Sequence, residues 1–238
     1  MVDVELEDAV ARIFLNRPEK ANALNSAMLS ALAGALESLD VGALRVVVIA
    51  GRGRNFCGGA DAAELKGLDP QTAPMFVTRI HEVCKAIRAL PVPVVARLHG
   101  AVIGAGLEIA AACDLRVAAE GTKFSMPEVR LGIPSVVEAA LLPRLMGSGR
   151  AAWLVLTGEV IDARRALEWG LIEETAPDVD LALEKLVKSL MAGAPQALRE
   201  QKRLLHLWDE APLATAVAAS IAAFGRTTIS SKEQGKGN

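Results

Sequence analysis

The chain has 238 residues, 26 Lys and Arg against 28 Asp and Glu, and a net charge of -2; 52% of it is hydrophobic, yet it holds only five Phe, three Trp and no Tyr. Without a basic face or interleaved aromatics, it fits neither a nucleic-acid backbone binder nor a platform for stacked bases. A chain this long buries roughly 70–75% of its unfolded surface, so a small aliphatic core of Ala, Leu and Val needs no disulfide or metal staple.

Val2 to Leu6 and Val10 to Leu15 alternate as two short strands around a turn at Glu7-Asp8. Ser26 reads as the N-cap of an Ala/Leu-rich helix to about Leu39, and Arg45 to Ala50 as a buried strand of parallel type. GRGRNFCGG, Gly51 to Gly59, must be a loop. Residues 71–90 place Phe76, Ile80, Val83, Cys84, Ile87 and Leu90 at helical spacing, and the helix stops before Pro91. Val94 to Leu98, Leu115 to Ala118 and Lys123 to Ser125 are further strands, with a helix from Gly104 to about Cys113. After Pro134 the pattern is nearly all helical: 136–146, 149–156, 162–169, 180–192, 195–207 and 212–224. Strands alternating with helices, followed by helices alone, predict an α/β fold with a helical C-terminal region. The expected divisions are 1–190 for the core, 191–229 for the helical region and 230–238 (from Ser230, SSKEQGKGN) for a flexible tail.

The N-terminus MVDVELEDAV has no basic or apolar leader pattern. The most apolar stretch, Val92 to Ala119, is broken by Arg97, His99, Glu108, Asp114 and Arg116, short of the ~20 residues of a spanning helix. Cys57, Cys84 and Cys113 are widely spaced and read as the reduced thiols of a cytoplasmic protein. The expectation is thus no membrane and no nucleic-acid partner.

Several signals lead nowhere. GRGRNF puts Phe56 where a dinucleotide fingerprint needs its third glycine. His81 and Cys84 lie one helical turn apart but have no second pair for a metal, so His81 is expected to face solvent beside a core cysteine; no metal site is expected. His99 and His206 stand alone, and no G-x-S-x-G nucleophile elbow occurs.

Three stretches carry more. Asn55-Phe56-Cys57-Gly58-Gly59-Ala60-Asp61 ends a strand in glycines that let backbone approach a ligand, with Asp61 able to cap a short helix to about Lys66. HGAVIGAGLEIAAACD, His99 to Asp114, is again strand, small-residue turn and helix; SMPEVRLGIP runs from Ser125 to Pro134. Two of them offer backbone amides at helix starts and two hold a glutamate, Glu108 and Glu128, among apolar neighbours. Two donors for an oxyanion and carboxylates to move protons suit enolate chemistry on a thioester.

Asn16-Arg17-Pro18-Glu19-Lys20-Ala21-Asn22-Ala23-Leu24-Asn25, GRGRNFCGGAD, HGAVIGAGLEIAAACD and FSMPEVRLGIP, in that order, resemble the enoyl-CoA hydratase/isomerase (crotonase) superfamily over roughly residues 8 to 226. Leu156-Thr157-Gly158 and the run Ala163 to Ile172 agree. The resemblance implies a spiral of ββα units with a helical trimerisation region, and a homotrimer or homohexamer. It implies an oxyanion hole from the amides of Ala60 and Ala105, and a coenzyme A border at Asp61, Ala62, Ala63 and Leu65. Arg17 and Lys20, with Arg52 and Arg54, become candidates for the CoA phosphates. Glu108 and Glu128 match the two catalytic glutamates of the hydratases, so hydration of a 2-enoyl-CoA in lipid metabolism is the implied activity. A Δ3-Δ2-enoyl-CoA isomerase and a weakly catalytic acyl-CoA-binding relative are the alternatives. CoA is part of the substrate, and no separate cofactor is expected.

Four departures from the family stand out. Ala105 replaces the usual glycine and adds a methyl near the substrate; Val136 stands where dienoyl isomerases carry an aspartate. Glu138 adds a third carboxylate, expected on a helix surface, with the acyl pocket as the other possibility. Beside relatives the chain looks short after Gly235-Lys236-Gly237, where a further helix over CoA is expected. The low aromatic count predicts an aliphatic acyl pocket of Ala, Leu, Val and Met.

Overall fold

The computed structural model describes the backbone of residues 1–234 and side chains through Arg226. Strands β1 (Val2–Glu7) and β2 (Val10–Leu15) pair antiparallel, Val2 opposite Leu15 and Glu7 opposite Val10. The sheet then grows by parallel pairing through β3 (Val46–Gly51), β4 (Val94–Leu98), β6 (Leu115–Ala119) and β9 (Glu174–Ala176), in the order β1-β2-β3-β4-β6-β9. Parallel neighbours require crossovers. Helix α1 (Ser26–Glu37) supplies the first, α2 (Ala62–Lys66) and α3 (Thr72–Ala89) the second, and α4 (Ala105–Ala112) the third. A second sheet joins β5 (Ala101–Ile103), β7 (Lys123–Ser125) and β8 (Ile161–Asp162) in that order. Thus β4, β5 and α4 form a ββα unit whose helix starts where the short strand ends.

Burial explains the uninterrupted apolar run VVVIAG of β3, all six residues of which are buried. Ile13, Leu15, Val47, Ile49 and Ala96 join Leu32 of α1, Ile80 and Ile87 of α3 and Leu107 of α4 in one core. Val46, Val48, Val95 and Val117 join Val179, Leu183 and Val187 of α8 (Val179–Ala192) in another. A sheet covered on both faces has no polar side to alternate with.

The remaining helices are α5 (Leu142–Met146), α6 (Ser148–Thr157), α7 (Ala163–Trp169), α9 (Pro195–Glu210) and α10 (Leu213–Gln234). Buried Lys202 fastens α9 to the sheet: its Nζ is 2.8 Å from Asp114 Oδ2 and donates to Val92 O at 3.0 Å. Burial lowers the proton affinity of Lys202, and the Asp114 charge opposes that. Lys202→Met removes the cation and leaves a mostly buried carboxylate with the Val94 amide and His206 beside it. We expect a loss of about 3 kcal/mol in urea unfolding, at the lower end for a broken buried pair.

Several sequence expectations change. Asn25, not Ser26, caps α1, its side chain accepting from the Met28 amide. The helix expected over 136–146 is a 3-10 turn at Val137–Leu141 followed by α5, and Val137 takes φ 41. Strands β8 and β9, of two and three residues, lie within the stretch expected to be nearly all helical. Helix α10 passes Ser230 and reaches Gln234, through the start of the expected tail. The rest of that tail, including Gly235-Lys236-Gly237, lies outside the described residues. Among the described residues, no helix is long and apolar enough to cross a membrane.

Candidate active site

The loop after β3 is shaped by Asn22. Fully buried and in the left-handed region (φ 56), it donates through Nδ2 to the carbonyls of Arg52 (2.9 Å), Asn55 (2.7 Å) and Phe56 (3.2 Å), while Oδ1 accepts from the Arg17 amide. Asn tolerates this conformation better than other side chains of its size. The loop then passes alongside Leu24, whose amide donates to Gly59 O and whose carbonyl accepts from the Asp61 amide, each at 2.8 Å. The Ala60 amide between them has no hydrogen-bond partner among the described residues. Asp61 caps α2 by accepting from Ala63 N (2.9 Å) and Glu64 N (3.2 Å), and its Oδ2 takes Arg17 Nη1 at 2.5 Å. The Arg17 bond first, then the Glu64 amide, holds the Asp61 carboxyl below its usual range.

β5 lies against the same loop: Cys57 N donates to Ala101 O and Ile103 N to Cys57 O, both at 3.0 Å. Gly104 follows at φ 51 and ψ -123, and Ala105 opens α4 with its amide also unpartnered among the described residues. Gly106 permits a close approach, because a Cβ there would lie 2.7 Å from the Cys57 Cβ and carbonyl oxygen. Gly59, at φ 96, fits under the Ile103 carbonyl for the same reason. The two free amides therefore come from residues that line one cavity of about 100 Å³.

Two carboxylates face that cavity. Glu108, one turn into α4 and 5% exposed, accepts from the Ala139 amide at 3.2 Å. Burial, then the Glu128 charge, pushes its carboxyl up to about 8, against the opposing pull of the Ala139 bond. Glu128 opens a 3-10 turn (Glu128–Leu131) and accepts from the Ser135 hydroxyl at 2.9 Å through Oε2. A Cβ on Gly104 would strike its Oε1, so the missing side chain makes room for this carboxylate.

The predicted residues Glu108, Glu128, Ala60, Ala105 and Leu65 all line the cavity. Asp61 lies beside them as the cap of α2, Ala62 and Ala63 are exposed on its first turn, and Lys20 is exposed at the end of the 3-10 turn Pro18–Lys20. Arg17 already holds Asp61 and the Ala23 carbonyl. Arg52 turns elsewhere: it pairs with Glu5 and Asp3 and stacks over Phe14 at 3.5 Å. The wall is not purely aliphatic as expected, for Phe76 joins Val77, Ile80, Ile133 and Val136, and no Met lines it. Glu138 departs furthest from expectation. It is 7% exposed rather than on the surface, and its Oε1 lies 2.8 Å from His81 Nδ1.

A larger cleft of about 540 Å³ opens on the α8 side of the sheet. Its basic residues Arg12, Arg52 and Arg97 are already paired with Glu184, Glu5 and Asp180. Its carboxylates Asp180 and Glu184 are taken up in those ion pairs, so the smaller cavity, where Glu108 and Glu128 meet the amides of Ala60 and Ala105, is the candidate site. Among the described residues, no cluster of His, Cys, Asp and Glu could hold a metal ion.

The model of the enoyl-CoA hydratase/isomerase family matches residues 5–238. The crotonyl-CoA hydratase of Syntrophomonas wolfei is 33% identical over 227 residues, covering 93% of this chain and 87% of its own length. The crystal structure of an enoyl-CoA hydratase from Thermoplasma volcanium superposes with a TM-score of 0.92 at 31% identity, covering 96% of this chain and 92% of that one. A Thermobifida fusca protein assigned to the enoyl-CoA hydratases, solved in complex with CoA, gives 0.87 at 31% identity, covering 97% and 94%. The architecture of parallel sheet, ββα units and C-terminal helices is accordingly the crotonase-like fold. The chain belongs to the enoyl-CoA hydratase/isomerase family.

Proposed function

We propose that the protein is an enoyl-CoA hydratase, a hydro-lyase adding water across the 2,3 double bond of a 2-enoyl-CoA. One observation carries the reading: Glu108, its carboxyl raised to about 8, shares with Glu128 a cavity that also holds two amides without partners among the described residues. The thioester carbonyl sits between the amides of Ala60 and Ala105, which stabilise the enolate oxygen; one such donor contributes about 3–4 kcal/mol at comparable sites. CoA runs past Asp61, Ala62, Ala63 and Leu65 at the start of α2, with Lys20 and Arg17 on the phosphate side. The CoA-bound relative supports this choice of ligand.

Water enters between the glutamates. As its oxygen bonds to Cβ, the carboxylate of Glu128 takes one of its protons, and the thioester carbonyl draws the π electrons into the enolate. Glu108, protonated in the resting site, then gives its proton to Cα as the enolate collapses. The pair has exchanged one proton, and the product has gained H and OH. General acid and base action of this kind contributes ~10²–10⁴-fold.

Crotonyl-CoA should lose its conjugated-thioester absorbance on incubation with the enzyme. A folded protein that hydrates neither short- nor medium-chain enoyl-CoA overturns the proposal. Conversion of a 3-enoyl-CoA without hydration would assign isomerisation instead, and tight acyl-CoA binding without any turnover would assign a binding role. Leu205, Trp208, Leu213, Val217 and Ile221 leave exposed apolar side chains along α9 and α10, which supports assembly into a homotrimer or homohexamer.

A further inference from the structure

The third carboxylate does not line the cavity, yet it is built into the support of Glu108. Glu138 lies between Val137, held at φ 41 where a β-branched residue rarely sits, and Ala139, whose amide donates to Glu108 Oε1 at 3.2 Å. Its carboxyl is buried, with Oε1 2.8 Å from His81 Nδ1 on α3 and Oε2 without a hydrogen-bond partner among the described residues. His81 is 47% exposed at its side chain and reaches this carboxylate from the solvent edge, 57 residues away in sequence. A buried carboxylate is costly unless hydrogen-bonded, and here His81 supplies the bond.

We propose that His81 and Glu138 are positioning residues for Glu108: the bond across α3 anchors the 137–139 turn, and the turn holds the Ala139 amide on Glu108 Oε1, fixing the carboxyl that delivers the proton. This rests on the proposed function of the site. The groups that bear on Glu108 are then Glu128 from the cavity, Glu138 from the turn, and Cys84 from α3, whose thiol is raised by burial and next by the charge of Glu138. Neither His81 nor Glu138 touches substrate, so their loss acts on the reacting geometry and not on thioester binding.

The test uses His81→Ala, His81→Asn and Glu138→Ala, with Glu138→Gln to remove the charge alone, in the full chain, with folding checked by circular dichroism. Because the contact is made through Nδ1, an asparagine amide can replace it. With crotonyl-CoA, we expect kcat to fall at least tenfold in His81→Ala and Glu138→Ala, with KM within twofold, and His81→Asn to return to within threefold of wild type. Unchanged kcat in both, a loss that falls on KM, or a His81→Asn no better than His81→Ala overturns the pairing. A second readout needs no turnover. In protein carrying carbon-13 at glutamate carboxyls, with Glu108 assigned by its Gln variant, Glu138→Gln should move the Glu108 titration midpoint down, since a facing negative charge is gone. If wild type hydrates no enoyl thioester, the proposed function falls, and this midpoint alone decides the pairing: an unmoved midpoint overturns it.

Discussion

Glu108→Gln is expected to stop hydration and stabilise the protein at the same time. The catalytic loss should be ~10²–10⁴-fold in kcat, the size of one general acid. The gain in stability follows from the environment that makes the residue useful. Its carboxyl, ordinarily near 4.5, is raised to about 8, chiefly because burial penalises the charged form and secondly because Glu128 is charged. Between those two pH values the folded protein holds a proton that the unfolded chain has released. The folded state therefore binds more protons, and stability falls as pH rises. Glutamine never ionises and escapes this loss. Thermal unfolding should show the variant level with wild type near pH 4 and, by the energy of a pKa displacement, up to about 5 kcal/mol more stable at pH 9. Wild-type hydration should itself decline as pH rises through about 8, where Glu108 loses its proton. Equal stability of the two proteins at pH 9 would show that Glu108 is not held protonated.

Gly104→Ala should be nearly as damaging to turnover, for a steric reason. At φ 51 and ψ -123 the residue occupies a region essentially reserved for glycine, and an added Cβ strikes Glu128 Oε1. The backbone strain alone costs ~1–3 kcal/mol. If the main chain relaxes to relieve it, the next amide, that of Ala105, moves with it; if it does not, Glu128 must leave its bond to Ser135. Either route displaces one of the groups proposed to act on the thioester, so kcat should drop by about 10²–10³-fold, comparable to losing one oxyanion donor. Gly147→Ala is the control. It sits at φ 83 with no atom near the added Cβ and lines no part of the cavity. It should lose stability by a similar strain while kcat stays within twofold of wild type.

The sequence revealed elements whose packing repeats and hid those that depend on distant contacts. The period of α3, with Phe76, Ile80, Val83 and Ile87 on one side, matches the face it buries, and β4 and β7 lie where predicted. β8 and β9 were missed because each is a short break in a helical stretch and its pairing partner lies far away in sequence. Ser26 and Asn25 are both good caps. The choice fell to Asn25 because Ser26 is turned to Glu64, its amide donating there at 2.8 Å. At the site, the glycines of the 57–60 loop and the first turn of α4 pointed to main-chain donors, since side-chain patterns say nothing about amides. Glu138 was misplaced because an unbroken helix was assumed across 136–146. The positive φ of Val137 rotates the following residue inward, toward a histidine that no local pattern could associate with it.

The three cysteines have a practical consequence. All are buried and unpaired; burial pushes Cys57 and Cys113 up to about 12 and Cys84 well above its usual range. Thiols held this far from ionisation are silent toward alkylating reagents at neutral pH. A single Lys66→Cys substitution on the exposed end of α2 would thus give a maleimide dye one address in an otherwise native sequence. Fluorescence from that address could follow the edge of the cavity as thioesters come and go, without first stripping the core of sulfur.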